Sequence, residues 1–220
     1  MIKQGDCLEL MKELPAGSVD MIATDPPYCL GVSSNGLRSS FSDFNLMRPF
    51  FEQLFSEWQR VLKDGGHIYL CTDWRTYPFL YPLIIKYLTV RNLIVWDIVW
   101  FKLGNFYRAS HELIIFATKG KSERNFGTTE TDVWRIRCVN YTQARLHPAQ
   151  KPVELMEKMI RNSSAEGQTV LDPFLGNGTT AVAALNLNRN FIGYEIDERY
   201  YEIAQKRIGD ALALKQQELF

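Results

Sequence analysis

The stretch TVLDPFLGNGTTAVAA, residues 169–184, passes from a short apolar run through a glycine-bearing turn into an alanine-rich helix start. Strand, turn and helix in that order make the crevice at the carboxyl end of a strand where open α/β sheets hold nucleotide cofactors. Gly176 and Gly178 allow a backbone to approach a ligand closely, although glycines also end strands for structural reasons alone. The next apolar run, FIGYEID, places Glu195 17 residues after Gly178. An acid at that strand tip can accept both hydroxyls of a ribose. The turn lacks the third glycine of GxGxxG and carries Asp172, Pro173 and Phe174 at its mouth, followed by Asn177, Thr179 and Thr180. Asp172 would repel a pyrophosphate, whereas a cofactor with a ribose and a cationic group suits an acidic mouth. S-adenosylmethionine has those features, and its sulfonium tolerates an aromatic neighbour such as Phe174.

Upstream, VDMIAT (19–24) reads as a buried strand. Residues 47–62 set Met47, Phe50, Phe51, Leu54, Phe55, Trp58, Val61 and Leu62 at helical spacing, with Gly65 and Gly66 expected to end the helix. HIYLCT is the next strand, YPFLYPLIIKYL a helix, and LIVWDIVWF with ELIIFAT two long strands suited to antiparallel pairing. A helix over 152–163, strand TVLD, helix TTAVAALNL, strand FIGYEI and a helix from Glu198 complete the chain. The alternation predicts an α/β fold whose mostly parallel sheet has an antiparallel edge, formed as a single domain over residues 1–220. Periodic apolar patterning lapses at 29–44 and 119–146; the first is long and rich in Ser, Gly and Asn, which suggests a mobile functional loop.

With 46% apolar residues in 220, the chain can bury a sizeable core, and disordered or fibrous classes are excluded. Four cysteines, Cys7, Cys29, Cys71 and Cys138, show no CxxC spacing, so neither a zinc site nor a disulfide framework is expected and no metal is assigned. No run approaches the roughly 18 apolar residues of a membrane span, and the N-terminus has no signal-peptide core, so a soluble cytoplasmic protein with no membrane partner is expected. Lys plus Arg and Asp plus Glu are equal at 25, but residues 102–151 hold nine basic against four acidic. That segment is the candidate polyanion-facing surface, through Lys102, Arg108, Lys119, Lys121, Arg124, Arg135, Arg137, Arg145 and Lys151. A solvated face is the competing reading.

The sharpest tetrapeptide is Asp25-Pro26-Pro27-Tyr28, directly after VDMIAT. An exocyclic amine on a nucleobase delocalises its lone pair into the ring, so it is a poor nucleophile until its protons are held. Asp25 can accept one N–H and the Pro26 carbonyl the other. The prolines restrict the backbone and so pre-position both acceptors. Tyr28 offers a ring on which an extruded base can stack. A plain turn after a strand, with Tyr28 as a core lid, is the structural alternative.

DPPY at 25–28, HPAQKP at 147–152 and LDPFLGNGTT at 171–180, in that order, resemble the beta-class DNA amino-methyltransferases over nearly the whole chain. The cofactor loop follows the catalytic motif, as in that permuted class, which implies a Rossmann-like, circularly permuted methyltransferase fold. The resemblance implies catalytic roles for Asp25, Pro26, Pro27 and Tyr28. It implies cofactor-binding roles for Asp172, Pro173, Phe174, Gly176, Asn177, Gly178, Thr179, Thr180 and Glu195. Gly5-Asp6-Cys7 looks like the family's element near the cofactor adenine, with Asp6 also fit to cap a helix and Glu9 to complete a capping box. His147, Pro148, Lys151 and Pro152 match the motif expected to wall the cofactor pocket, although Lys151 also reads as a surface lysine at a helix start.

The short insert 121–146 is left as the target-recognition region, with Arg124, Arg135, Arg137 and Arg145 as DNA-binding candidates beside Phe126, Trp134 and Tyr141. The expected partner is duplex DNA; a homodimer and a cognate restriction endonuclease also follow from the resemblance. A leading Asp in the tetrapeptide is, within that family, more often seen with N6-methyladenine than with N4-methylcytosine. Cytosine-N4 methylation, an RNA adenine substrate and a non-catalytic DNA-binding subunit remain alternatives. C5-cytosine chemistry is set aside because no Cys follows a Pro, and Cys29 reads as a small pocket-lining residue.

Overall fold

Apolar runs alternating with amphipathic ones can satisfy their backbone hydrogen bonds and bury both sheet faces only as a sheet between helical layers. The computed structural model describes residues 1–27, 44–102, 106–122, 129–139 and 150–217. Its strands are β1 Ile2–Gln4, β2 Val19–Thr24, β3 Leu62–Thr72, β4 Thr89–Asp97, β5 His111–Thr118, β6 Val133–Arg135, β7 Thr169–Asp172 and β8 Asn190–Glu195. Its helices are α1 Cys7–Met11, α2 Phe44–Val61, α3 Tyr77–Ile84, α4 Val153–Ser163, α5 Thr179–Asn186 and α6 Glu198–Gln217. The strands form one sheet in the order β1-β8-β7-β2-β3-β5-β4-β6. Among them β5 alone runs against its neighbours, β3 and β4. The carboxyl ends of β2, β3, β4, β7 and β8 therefore lie along one edge, with β2 between the β7–β8 half and the β3–β5–β4 half.

Period two in β2 and β3 divides the core. Ile22, Ile68 and Leu70 face a layer built on Phe51, Leu54, Phe55 and Trp58 of α2 together with α3. Met21, Ala23, Tyr69 and Cys71 face Leu155, Met156, Met159 and Ile160 of α4 and the alanines of α5. Each of those large α2 side chains is fully buried and contributes roughly 1.5–3 kcal/mol, which outweighs the low helix propensity of its aromatic residues.

Gly65 and Gly66 do not end the helix in a loop, as the sequence suggested. β3 begins at Leu62, directly after α2, and contains both glycines. A Cβ on Gly66 would lie 2.8 Å from the Asp20 carbonyl and 2.7 Å from Leu62. The glycine is what lets β3 close onto β2 where their register shifts. Asp6 caps α1 by accepting from Leu8 N–H at 2.8 Å, but Glu9 turns to Lys12 rather than completing a capping box. The segment 119–146, expected to lack regular structure, supplies β6, which extends the sheet alongside β4. The stretch 29–44 lies outside the described residues except for Phe44, which opens α2. No described helix is long and apolar enough to cross a membrane.

Candidate active site

The candidate site is built from two strand ends. β7 ends at Asp172, and the chain turns through residues 173–178 into α5, with Gly178 at the helix cap in the left-handed region at φ +83°. A Cβ there would sit 3.2 Å from Ala204 of α6, so glycine serves both the turn and the close approach. Gly176, at φ +55°, has open space where a side chain would be. Its N–H donates to Glu195 Oε2 at 2.7 Å, and Glu195 Oε1 accepts from Asp197 N–H at 2.9 Å. This fixes the acid at the tip of β8 beside the turn. Gly5 N–H donates to the Glu195 carbonyl at 2.9 Å, which brings the Gly5-Asp6-Cys7 backbone to the same place. The Asp6 side chain caps α1, and the Cys7 thiol points into the core, where burial pushes it up to about 12.

Asp172 differs from the solvent-facing acid its position suggested. It is 3% exposed; Thr24 and Thr180 hydroxyls each donate to it at 2.6 Å and Phe174 N–H at 3.1 Å. Burial pushes its carboxyl up to about 6. Its hydrogen bonds tie the end of β2, the turn and the start of α5 into one unit. Pro173 is buried in the turn. Asn177, also buried, donates to Gln150 at 2.8 Å and accepts from Thr179 Oγ1 at 3.0 Å, so it joins the turn to the chain before α4.

β2 delivers Asp25 beside this unit. Pro26 is buried and Pro27 exposed; Tyr28 lies outside the described residues, as do Cys29, His147 and Pro148. Lys151 is not a surface lysine. It is 6% exposed, lies just before Pro152, the cap of α4, and reaches Asp25 Oδ2 at 2.5 Å and Glu112 Oε2 at 3.1 Å. Burial would lower its ammonium, but Asp25 and Glu112 hold it above the ordinary lysine value. Lys102 pairs with the other oxygen of Glu112. Burial would raise Glu112, yet Lys151 and Lys102 bring it down to about 2. The other oxygen of Asp25, Oδ1, is buried and has no hydrogen-bond partner among the described residues.

Asp25, Lys151, Asp172, Phe174, Gly176 and Thr180 line one crevice. The two motifs, 144 residues apart between Asp25 and Thr169, thus converge on one site. Glu112 was missed because it opens ELIIFAT, which reads as an ordinary buried strand; an acid at the start of such a run was the only signal. A larger cavity of about 400 Å³ lies near the opposite end of the sheet, around His67, Thr118 and Asn162, away from the strand ends that carry the site.

The basic segment does not form one face. Because β5 is antiparallel, it carries Lys119 and Lys121 to the end of the sheet opposite Asp25, where Lys119 donates to the Leu62 carbonyl at 2.8 Å. Lys151 is buried in the site. Arg135 lies 3.5 Å from Asp97 and Arg137 stands 5.7 Å from the Trp100 ring, both on the catalytic half of β4 and β6. Arg124 and Arg145 lie outside the described residues. Among the described residues no group of three or more His, Cys, Asp or Glu is arranged to hold a metal ion.

A glycine turn with an acid at the neighbouring strand tip, opening onto a carboxylate oxygen unpartnered among the described residues, defines a Rossmann-like methyltransferase of amino groups. The sequence profile of the DNA methylase family covering N6 and N4 enzymes matches residues 19–206, and the chain belongs to that family. It is 31% identical to the type II methyltransferase M.HinfI of Haemophilus influenzae over 94% of this chain and 67% of that one. It is 29% identical to the DNA adenine methyltransferase YhdJ of Escherichia coli K12 over 99% of this chain and 85% of that one. The crystal structure of the M1.HpyAVI–SAM complex superposes with a TM-score of 0.73 at 27% identity, over 94% of this chain and 98% of that one. The cofactor is S-adenosylmethionine, and the residues present fit it: open space at Gly176, Glu195 at the crest and Phe174 at the mouth.

Proposed function

We propose that the chain methylates the N6 amine of adenine in duplex DNA after the base is flipped out of the helix. The observation that carries this reading is Oδ1 of Asp25, buried and unpartnered among the described residues, in the crevice shared with the cofactor turn. A buried acceptor without a donor costs about 1–3 kcal/mol, and an amine N–H entering the site removes that cost. When bound, S-adenosylmethionine supplies a methyl group activated by its sulfonium.

The remaining steps belong to the protein. Asp25 Oδ1 accepts one amine N–H and the Pro26 carbonyl accepts the other, which draws the nitrogen out of conjugation. Lys151 occupies Oδ2, so Asp25 presents its other oxygen, Oδ1, to the amine. The carboxylate stabilises the positive charge growing on the amine, and the surplus proton passes along that hydrogen bond to Asp25 Oδ1 and from there to solvent. Tyr28 keeps the stacking role its motif implies. Glu195 would hold the ribose hydroxyls, and the backbone at Gly176 and Gly178 would admit the cofactor.

Adenine is preferred because Asp leads the tetrapeptide and because YhdJ is named a DNA adenine methyltransferase. The type II designation of other relatives supports a cognate nuclease of the same specificity, and the resemblance supports a homodimer in the cytoplasm. Labelled cofactor with mixed-sequence duplex, digested to nucleosides, tests the reading. Label in N6-methyladenine is expected; label in N4-methylcytosine overturns the base, and label only with RNA overturns the substrate. Sedimentation of the purified chain tests the dimer.

A further inference from the structure

Three of the five tryptophans are core residues: Trp58, Trp96 and Trp134 are 0%, 2% and 5% exposed. Trp74 and Trp100 are 63% and 50% exposed, and both follow strands whose carboxyl ends lie on the catalytic edge, β3 and β4. An exposed tryptophan has left its apolar face in water, and here each is backed by a cation. The Arg75 guanidinium lies 5.2 Å from the Trp74 ring and that of Arg137 5.7 Å from Trp100. Phe101 stacks on Trp100 with ring centres 5.1 Å apart and planes 5° from parallel, and Arg108 lies 4.7 Å from Phe101.

The placement is one-sided. β3 and β4 lie on the flank of β2 opposite β7 and β8, so these rings occupy the side of Asp25 away from the cofactor turn. The acids nearby are engaged: Asp73 Oδ1 accepts from Thr76 N–H at 2.8 Å, Asp97 Oδ1 from Val99 N–H at 2.8 Å, and Glu112 meets two lysines. Lys102, next to Phe101, joins the catalytic carboxylate through Glu112 and Lys151. Its N–H also donates to the Ala109 carbonyl at 2.8 Å. The Trp100–Phe101 pair is thereby held at a fixed offset from Asp25.

Resting on the DNA reading above, we infer that Trp74 with Arg75, and Trp100–Phe101 with Arg108 and Arg137, are two successive shelves that hold the substrate strand beside the everted base, on the flank of Asp25 away from the cofactor turn. The rings stack on flanking or unpaired bases and the guanidiniums meet phosphates. Aromatic stacking tolerates any base, so the shelves supply affinity and position rather than sequence choice.

The test is equilibrium anisotropy of the full chain on a fluorescein-labelled mixed-sequence duplex at low salt. W74A and the double variant W100A/F101A should each weaken binding at least about fivefold, while S-adenosylmethionine affinity, read by calorimetry, stays within about twofold of wild type. W74F and W100F, which keep a ring, should restore most of the binding; this separates stacking from misfolding. R108Q/R137Q should lower the salt slope by about one to two. DNA should also protect wild-type tryptophan fluorescence from acrylamide. No measurable binding by wild type, or alanine variants within about twofold of it, overturns the inference. Ring-dependent binding with no methyl on adenine would overturn the proposed function and leave the shelves standing.

Discussion

Two buried carboxylates stand on either flank of Asp25 and are kept by opposite means. Asp172, on the cofactor flank, is met only by neutral donors, and burial pushes it up to about 6. Glu112, on the substrate flank, feels the same penalty of burial, but Lys151 and Lys102 draw it down to about 2. One flank is organised by hydrogen bonds that survive a change of protonation. The other is organised by matched charges that cannot be altered singly without leaving a charge buried and unpaired.

The severest test falls on the residue both flanks serve. Asp25→Ala should lower the rate of methyl transfer by about 10²–10⁴-fold, with cofactor affinity by calorimetry essentially unchanged. Equal loss of cofactor binding would mean that the flanks are not separable. Next, Lys151→Met should cost about 3–5 kcal/mol in urea unfolding, because it leaves Asp25 without its cation and Glu112 with Lys102 alone. A cost under about 1 kcal/mol would erase the contrast with the cofactor flank. That flank is more vulnerable in its backbone: Gly178→Ala should cost about 1–2 kcal/mol for its left-handed conformation, and more as Ala204 gives way, with weaker cofactor binding. Asp172→Asn should stay within about 1 kcal/mol of wild type at neutral pH, since Asn still accepts from Thr24 and Phe174.

The two acids also predict opposite pH dependences. The folded state binds the Asp172 proton more tightly than the unfolded chain does, so this group lowers stability as pH rises from its ordinary 3.8 to about 6. Glu112, depressed from 4.5 to about 2, contributes stability that is present above 4.5 and lost as pH falls through that window. Asp172→Asn should therefore flatten the upper window alone, measured as unfolding midpoints across pH.

Much of the candidate site was legible because the proposed chemistry demands particular residues in a short span: an acid stiffened by prolines at 25–27, glycines at 176 and 178, an acid at 195. The strands VDMIAT and FIGYEI were legible from apolar runs bounded by turn chemistry. What stayed hidden depends on tertiary direction. The antiparallel pairing of β4 with β5 was legible, but the insertion of β5 between β3 and β4, which sends Lys119 to the far end of the sheet, was not. Gly65 and Gly66 look like a helix stop until the close approach of Asp20 and Leu62 is known. Three-residue β6 lies in a segment with no apolar period, and the burial of Lys151 depends on an acid 39 positions away in sequence at Glu112.

The sheet order also bears on how the polypeptide is made. β2 takes one neighbour, β7, from about 150 residues downstream, and β1 pairs only with β8, near the end of the chain. During translation the strand that leads into Asp25 therefore leaves the ribosome with one edge bare and keeps it so until residues 169–172 have followed it. Cofactor added to stalled nascent chains should find nothing to grip until β8 has emerged, and the exposed edge makes early chaperone engagement the expected companion of synthesis.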